Sequence, residues 1–236
     1  MGSFDRKNGA IDCSEATRLG ALVLDKPRKV IPSAEEISAG LMDAVKEHGL
    51  ELLPWRDADL ALRGKLAFLH DHKGDLFPPV DDAALLNTLD TWLEPFLAGV
   101  ESLGELGRGQ LSSGLSLLAN TGDVRTIDQL LPDHFQAPSG SKLPISYSGE
   151  SATLRVRPQE LFGLTTHPAV LDGAVAIELE LLSPAGRPIQ ITRDLPGFWT
   201  GSWADVRADL RGRYPKHPWP ENPHEAIATR RAKQRK

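Results

Sequence analysis

The spacing of apolar residues changes once along this chain, near Pro132, and that change restricts it to a mixed fold. Ahead of Pro132 the apolar positions recur every three or four residues, as one face of an α-helix requires. Ile37, Leu41, Ala44 and Val45 form such a stripe. Leu62, Leu66 and Leu69 do so in "DADLALRGKLAFLHDH", and Leu85, Leu89, Trp92, Leu93 and Phe96 in "AALLNTLDTWLEPFLAGV". "SSGLSLLA" and "RTIDQLLP" predict two shorter helices. Beyond Pro132 the period is two, in "KLPISYS", "ATLRVRP" and "VAIELELL". In the last, Val175, Ile177, Leu179 and Leu181 face one side, and Ala176, Glu178 and Glu180 the other. "SPAGRP" reads as a turn and "IQITRDL" continues the alternation, which predicts a hairpin over residues 174–195. The fold class is therefore α+β: an N-terminal β remnant, an all-helical unit, then a mainly antiparallel β unit with a closing helix and a Pro-rich strap.

Local signals set the borders. Ser33 and Glu36 make a capping box that opens the first helix, and Gly49 stops it. Asp81–Asp82 caps the third stripe, and Ser202 with Asp205 reads as a second capping box, opening "SWADVRADLRGRY". There Trp203, Val206 and Leu210 form the inner stripe, while Arg207, Arg211 and Arg213 are expected to point outward. Residues 4–30 read as a strand pair, "AIDCS" with "LGALVLD", followed by the linker "KPRKVIPS", where Pro27 and Pro32 break regular structure. The expected division is a β remnant and linker over 1–32, a helical unit over 33–131, an α+β unit over 132–223 and a basic tail over 224–236. The opening "MGSFDRKNG" has no apolar h-region; Met1–Ser3 reads as an expression scar and the chain as a piece of a longer protein.

Composition narrows the class further. With 236 residues, 40% of them hydrophobic, the chain can bury a core without staples. Its one cysteine, Cys13, excludes an internal disulfide, which fits a reducing cytoplasm. No apolar run reaches the length of a membrane span. The net charge of −5 is uneven: from Arg187 onward 11 lysines and arginines face 5 acids, leaving +6 there and −11 on the rest. A basic end on an acidic body suits a polyanionic partner, and equally a solvated tail.

No self-contained active site emerges. "GELGRGQ" lacks the following Lys-Ser/Thr of a phosphate-binding loop. Ser139 and Lys142 have the spacing of a serine nucleophile and its base, but the Ser-Asp-Asn and Lys-Thr-Gly motifs that accompany such a pair are missing. His70 and His72 stand two apart, which does not bring them together on a helix, and His134 and His167 have no evident partner, so no metal site is assigned. Glu178 and Glu180 read as an exposed salt-bridge ladder with Arg155, Arg157 or Arg193.

The informative stretch is "RGRYPKHPWPENP", residues 211–223, where cations and aromatics interleave with Pro215, Pro218, Pro220 and Pro223. The prolines preset an extended backbone, and Trp219 and Tyr214 are large enough to anchor it as a strap. Arg211, Arg213 and Lys216 then form an edge that can meet phosphate, and aromatics among cations also suit stacking on single-stranded RNA. Arg230, Arg231, Lys233, Arg235 and Lys236 add sequence-independent attraction. These cations together with Trp219 are the candidate nucleic-acid-binding residues.

"PSGSKLPISY", "RPQELFGLTTHP", "LLSPAGRPIQITRDLPGFW" and "LRGRYPKHPWPENP" occur in this order, with "LGALVL", "LELLPW" and "TWLEPFLAGV" upstream and "TRRAKQRK" at the close. In these the chain resembles the C-terminal region of the HrpB family, bacterial ATP-dependent helicases of the DExH-box group. The resemblance implies a parent with two RecA-like motor domains followed by winged-helix, helical-bundle and oligonucleotide-fold modules. It places ATP and Mg in those motor domains, and this chain begins inside or after the oligonucleotide-fold module. The chain has no Walker motif, no Asp-Glu-x-His box and no motor arginine, so no cofactor and no catalytic residue is carried over. The expected role is a non-motor accessory region that docks on the helicase core of the same chain, guides RNA, or both. The alternative is a protein-interaction module with no nucleic-acid contact.

Overall fold

A computed structural model gives the fold and describes residues 2–5, 9–15, 18–19, 22–23, 28–29, 32–119 and 124–231. The chain divides into two compact units, Met1–Gly122 and Asp123–Lys236. The border lies ahead of the change in period near Pro132.

The first unit opens with β1 (Gly2–Asp5), β2 (Ala10–Glu15), β3 (Arg18–Leu19), β4 (Leu22–Val23) and β5 (Arg28–Lys29). Strand β2 lies between β1 and β5 in an antiparallel sheet, while β3 and β4 pair with each other. The strand pair expected between "AIDCS" and "LGALVLD" is therefore replaced. Among the described residues the first run pairs with Gly2–Asp5 just ahead of it and with Arg28–Lys29 beyond the second run.

Helices follow: α1 (Ala34–His48), α2 (Asp57–Lys73), α3 (Asp82–Asn87), α4 (Leu89–Trp92) and α5 (Gln110–Leu118). The capping box at Ser33 is present, with Glu36 N–H donating to Ser33 Oγ at 3.2 Å and Ser33 N–H donating to Glu36 Oε2 at 2.8 Å. Gly49 ends α1 at φ 95°. Asp81 caps α3 by accepting from Ala84 N–H at 3.0 Å. The single helix expected beyond it breaks at Thr88, where φ −123° and ψ 21° leave the helical region. Its core joins Leu41, Val45, Leu66, Leu69, Leu85, Leu89, Trp92, Leu93, Leu111 and Leu115, all essentially buried. Leu62 and Phe96 are only half-buried. Trp55 stacks on Trp92 with ring centroids 6.0 Å apart. Inside this core Asp59, 1% exposed, accepts from Arg56 N–H and Ser112 N–H, each at 3.1 Å, and from Ser112 Oγ, so one carboxylate ties the starts of α2 and α5 together.

The second unit contains α6 (Val124–Leu130), β6 (His134–Gln136), β7 (Lys142–Ser148), β8 (Ser151–Val156), β9 (Ala169–Val170), β10 (Val175–Ala176), β11 (Glu178–Leu182), β12 (Pro188–Thr192), α7 (Leu195–Thr200) and α8 (Trp203–Arg213). Its main sheet runs in the order β12-β11-β8-β7-β6, antiparallel except for the parallel pair β8 and β11. The hairpin read from the sequence is real but shorter. β11 and β12 form it, while Val175–Ala176 pairs with β9. Ala152, Leu154, Val156, Leu179 and Leu181 line the buried face. On the other face Arg155 meets Glu180 at 3.0 Å and Arg193 meets Glu178 at 3.2 Å, exposed pairs of on the order of 0–1 kcal/mol each. Arg157 joins neither pair. A parallel pair needs a crossover. The chain therefore leaves β8 through residues 157–177, and this placement brings the 3₁₀ turn Pro158–Glu160 beneath the strap.

The capping box expected at Ser202 is not formed. Ser202 sits at φ −69° and ψ −10°, already helical, so its hydroxyl does not cap the next turn. The helix start that is capped is that of α7, where Gly197 N–H donates to Asp194 Oδ1 at 2.9 Å.

Candidate nucleic-acid edge and its strap

Trp203 begins α8 and is 2% exposed. It packs edge-on against Phe162 at 5.5 Å and Trp199 at 5.6 Å, and Phe198 completes the cluster. One face of its indole is left for the strap. Trp219 stacks there at 5.8 Å and 24° between planes, and Trp203 Nε1 donates to Pro220 O at 3.0 Å. Trp219 Nε1 donates to Tyr214 O at 2.9 Å, closing the strap on itself. Further on, Gly163 N–H donates to Pro223 O and Thr229 N–H to Gln159 O, each at 2.9 Å. Gly163 has φ +80° and an added Cβ would meet Ala226 O at 3.4 Å, so the strap lies directly on a glycine. The prolines fit a segment whose backbone bonds run to the β unit and not to a helix or sheet of its own.

This arrangement sorts the candidate residues. Trp219 is a packed anchor: its ring face lies on Trp203 and its N–H is used. Tyr214 is half-buried and meets the edge of His217 at 6.3 Å. Arg207, expected to point outward, turns back instead. Its Nε donates to Trp219 O at 3.0 Å and its Nη2 to Glu221 Oε1 at 2.8 Å, because the strap brings both acceptors over α8. Arg211, Arg213 and Lys216 are exposed and make no ion pair or side-chain hydrogen bond among the described residues. Arg230 and Arg231 are exposed at the end of the described chain, and Lys233, Arg235 and Lys236 lie outside the described residues.

Sequence reasoning missed Gln159, and offered Arg157 only as a partner in the salt-bridge ladder. Gln159 is 5% exposed, and its Oε1 accepts from His217 Nδ1–H at 3.0 Å. Burial, and then the charge of Arg157, hold His217 below the usual imidazole range. Only the position of Gln159 under the strap marks it as special, and nothing local to "RPQELFG" signals that.

The other candidates are structural. Ser139 sits in a turn, and its Oγ donates to Ser141 Oγ at 3.1 Å and lies 3.2 Å from Glu160 Oε2, while Lys142 projects from β7 into solvent; they form no dyad. His70 Nδ1 bonds to Phe77 O at 2.7 Å and His72 lies against Phe68 at 4.3 Å, so the two do not converge. His167 Nδ1 accepts from Leu195 N–H at 3.0 Å, which makes Nε2 the donor to Ile177 O at 2.7 Å. His134 is exposed on β6. No helix among the described residues is long and apolar enough to cross a membrane.

The family described as "ATP-dependent helicase C-terminal" matches residues 92–223. The ATP-dependent RNA helicase HrpB of Escherichia coli (strain K12) is 37% identical over 235 residues, which is 98% of this chain and 29% of that protein. A crystal structure of the E. coli DExH-box NTPase HrpB superposes with a TM-score of 0.80 at 36% identity, covering 98% of this chain and 29% of the other. A second, of the Escherichia coli DEAH/RHA helicase HrpB, gives 0.68 at 35% identity over 92% and 28%. The chain thus spans under a third of the length of these relatives.

Proposed function

The chain belongs to the C-terminal family of the ATP-dependent helicase HrpB, and on that premise we propose that it is a non-motor accessory region guiding single-stranded RNA beside a DExH-box motor in the cytoplasm. The supporting observation is the edge of Arg211, Arg213 and Lys216: three exposed, unpaired cations at the end of α8 and the start of the strap that Trp219 anchors on Trp203. One face of Trp219 lies on Trp203, so the reading rests on the charge of the edge. Phosphate contact of that kind is independent of sequence and sensitive to salt. ATP and Mg belong to motor modules outside this chain, whose own residues include neither a phosphate-binding loop nor a DExH box to hold them.

Anisotropy of labelled single-stranded RNA titrated with the purified chain tests this. Binding is expected at low salt, without ATP turnover. Changing Arg211, Arg213 and Lys216 to Glu should weaken it and flatten the plot of log Kd against log salt by about one per cation removed. Binding unchanged by the triple substitution would exclude the edge.

A second reading, docking on the helicase core or another protein, is favoured by Leu60, Leu76 and Leu117 of the first unit, which are 49%, 77% and 56% exposed. It becomes the better account if the chain binds no RNA at low salt.

A further inference from the structure

Beneath the strap lies a cleft of about 10 Å³, room for one water-sized group. Trp203, Trp219, Pro184 and Pro218 wall it, and Arg157 and Gln159 supply its polar lining. Gln159 Nε2 is buried and has no hydrogen-bond partner among the described residues. Its Oε1 is held by His217 Nδ1–H and its main-chain oxygen by Thr229 N–H, so the amide is fixed with its donor end free. Arg157 is half-buried and also makes no ion pair or side-chain hydrogen bond among the described residues. The acids nearest in sequence are engaged elsewhere: Glu160 with Ser139 and Ser141, and Glu221 with Arg207.

A buried amide donor left unsatisfied is destabilising, and a half-buried guanidinium beside aromatic and proline walls is poorly solvated. Both relax if an anionic oxygen enters. The space takes one oxygen and no more, so the rest of the ligand must stay at the mouth. Lys216 stands two residues before Pro218, and Arg213 precedes it at the end of α8, so positive charge continues along the chain away from the cleft. That pattern suits a ligand with repeating negative charge.

We propose that the cleft is a phosphate-oxygen site, in which one non-bridging oxygen of an RNA phosphodiester accepts from Gln159 Nε2 while its sister oxygen lies against Arg157. The proposal rests on the reading of this chain as an RNA-contacting region, and gives that surface a fixed point of contact beside a diffuse cationic edge. A neutral buried donor and a cation should leave different signatures in salt dependence.

The test is an anisotropy titration of the whole chain with labelled oligouridine at several salt concentrations. Gln159→Met preserves bulk and removes the donor. It should weaken binding about tenfold without changing the salt slope. Arg157→Met should weaken it and lower the slope by about one. In the unsubstituted chain, the indole N–H signals of Trp203 and Trp219 should shift on RNA addition in ¹H–¹⁵N spectra, a readout independent of any variant. If both methionine variants bind at full strength while the Arg211, Arg213 and Lys216 triple variant does not, the cleft holds only a structural water and the proposal is overturned with the RNA reading intact. Indole signals that stay still at RNA saturation overturn it as well. If the unsubstituted chain binds no RNA, the RNA reading itself fails.

Discussion

Replacing Gly114 by Ala isolates the closest approach in the first unit. Gly114 lies in α5, where alanine would ordinarily gain about 1 kcal/mol of helix propensity. Here the added Cβ would sit 2.1 Å from Trp92 O, 3.1 Å from its carbonyl carbon and 3.2 Å from Cε3 of its ring. The first contact is with backbone and falls more than 1 Å short of ordinary van der Waals separation. Trp92 has no room to yield: it is fully buried and its Nε1 donates to Leu85 O at 2.9 Å. Helices α4 and α5 must therefore separate, loosening the seats of Leu111 and Leu115. Overpacking of this kind costs about 1–3 kcal/mol or more and exceeds the propensity gain, so a net loss of about 2 kcal/mol is expected. At about 4 °C per kcal/mol the first unit's Tm falls by about 8 °C. Gly212 of α8 supplies the control, since a Cβ there meets nothing within 4 Å and alanine should stabilise by about 0.5–1 kcal/mol. Urea unfolding followed by circular dichroism measures both. A Gly114→Ala protein as stable as the unsubstituted one would refute the packing argument.

Two further outcomes follow from buried polar contacts. Asp59→Ala leaves the N–H groups of Arg56 and Ser112 and the Ser112 hydroxyl without their acceptor, so a loss of about 3 kcal/mol is expected, with partial recovery in Asp59→Asn, both read by thermal unfolding. His217 is held below its ordinary value in the folded chain, so the unfolded chain takes up the proton first. Its contribution is complete above about pH 6.5 and is lost as pH falls through the lowered folded value. Between about pH 7.5 and 5 the unsubstituted protein should therefore lose stability more steeply than His217→Gln, and parallel curves would contradict the assignment.

What the sequence disclosed was local. The Ser33 capping box joins residues three apart, and the Gly49 stop and the turn between β11 and β12 are equally short-range signals. Alternation placed Glu178 and Glu180 on one face and offered Arg155, Arg157 or Arg193 as partners; which arginine meets which acid was set by strand order, and Arg157 meets neither. The errors share a cause. Ser202-Trp-Ala-Asp matches a capping pattern, yet that pattern does not register that residue 202 is already helical. "AIDCS" is β-prone whichever strand it joins, and the parallel match of β8 with β11 depends on a crossover that hydropathy does not encode. The candidate edge was readable as charge, but the inward turn of Arg207, expected to point outward, required the strap to be folded over α8. Gln159 was invisible for the same reason: an unpaired amide exists only after its surroundings have closed.

The stacked pair Trp203 and Trp219 also bears on synthesis. The ribosome delivers α7 and α8 before the strap, so a nascent chain presents a naked indole face until residues 219–223 clear the exit tunnel. During that interval the cluster of Phe162, Phe198, Trp199 and Trp203 keeps one face that the finished fold covers.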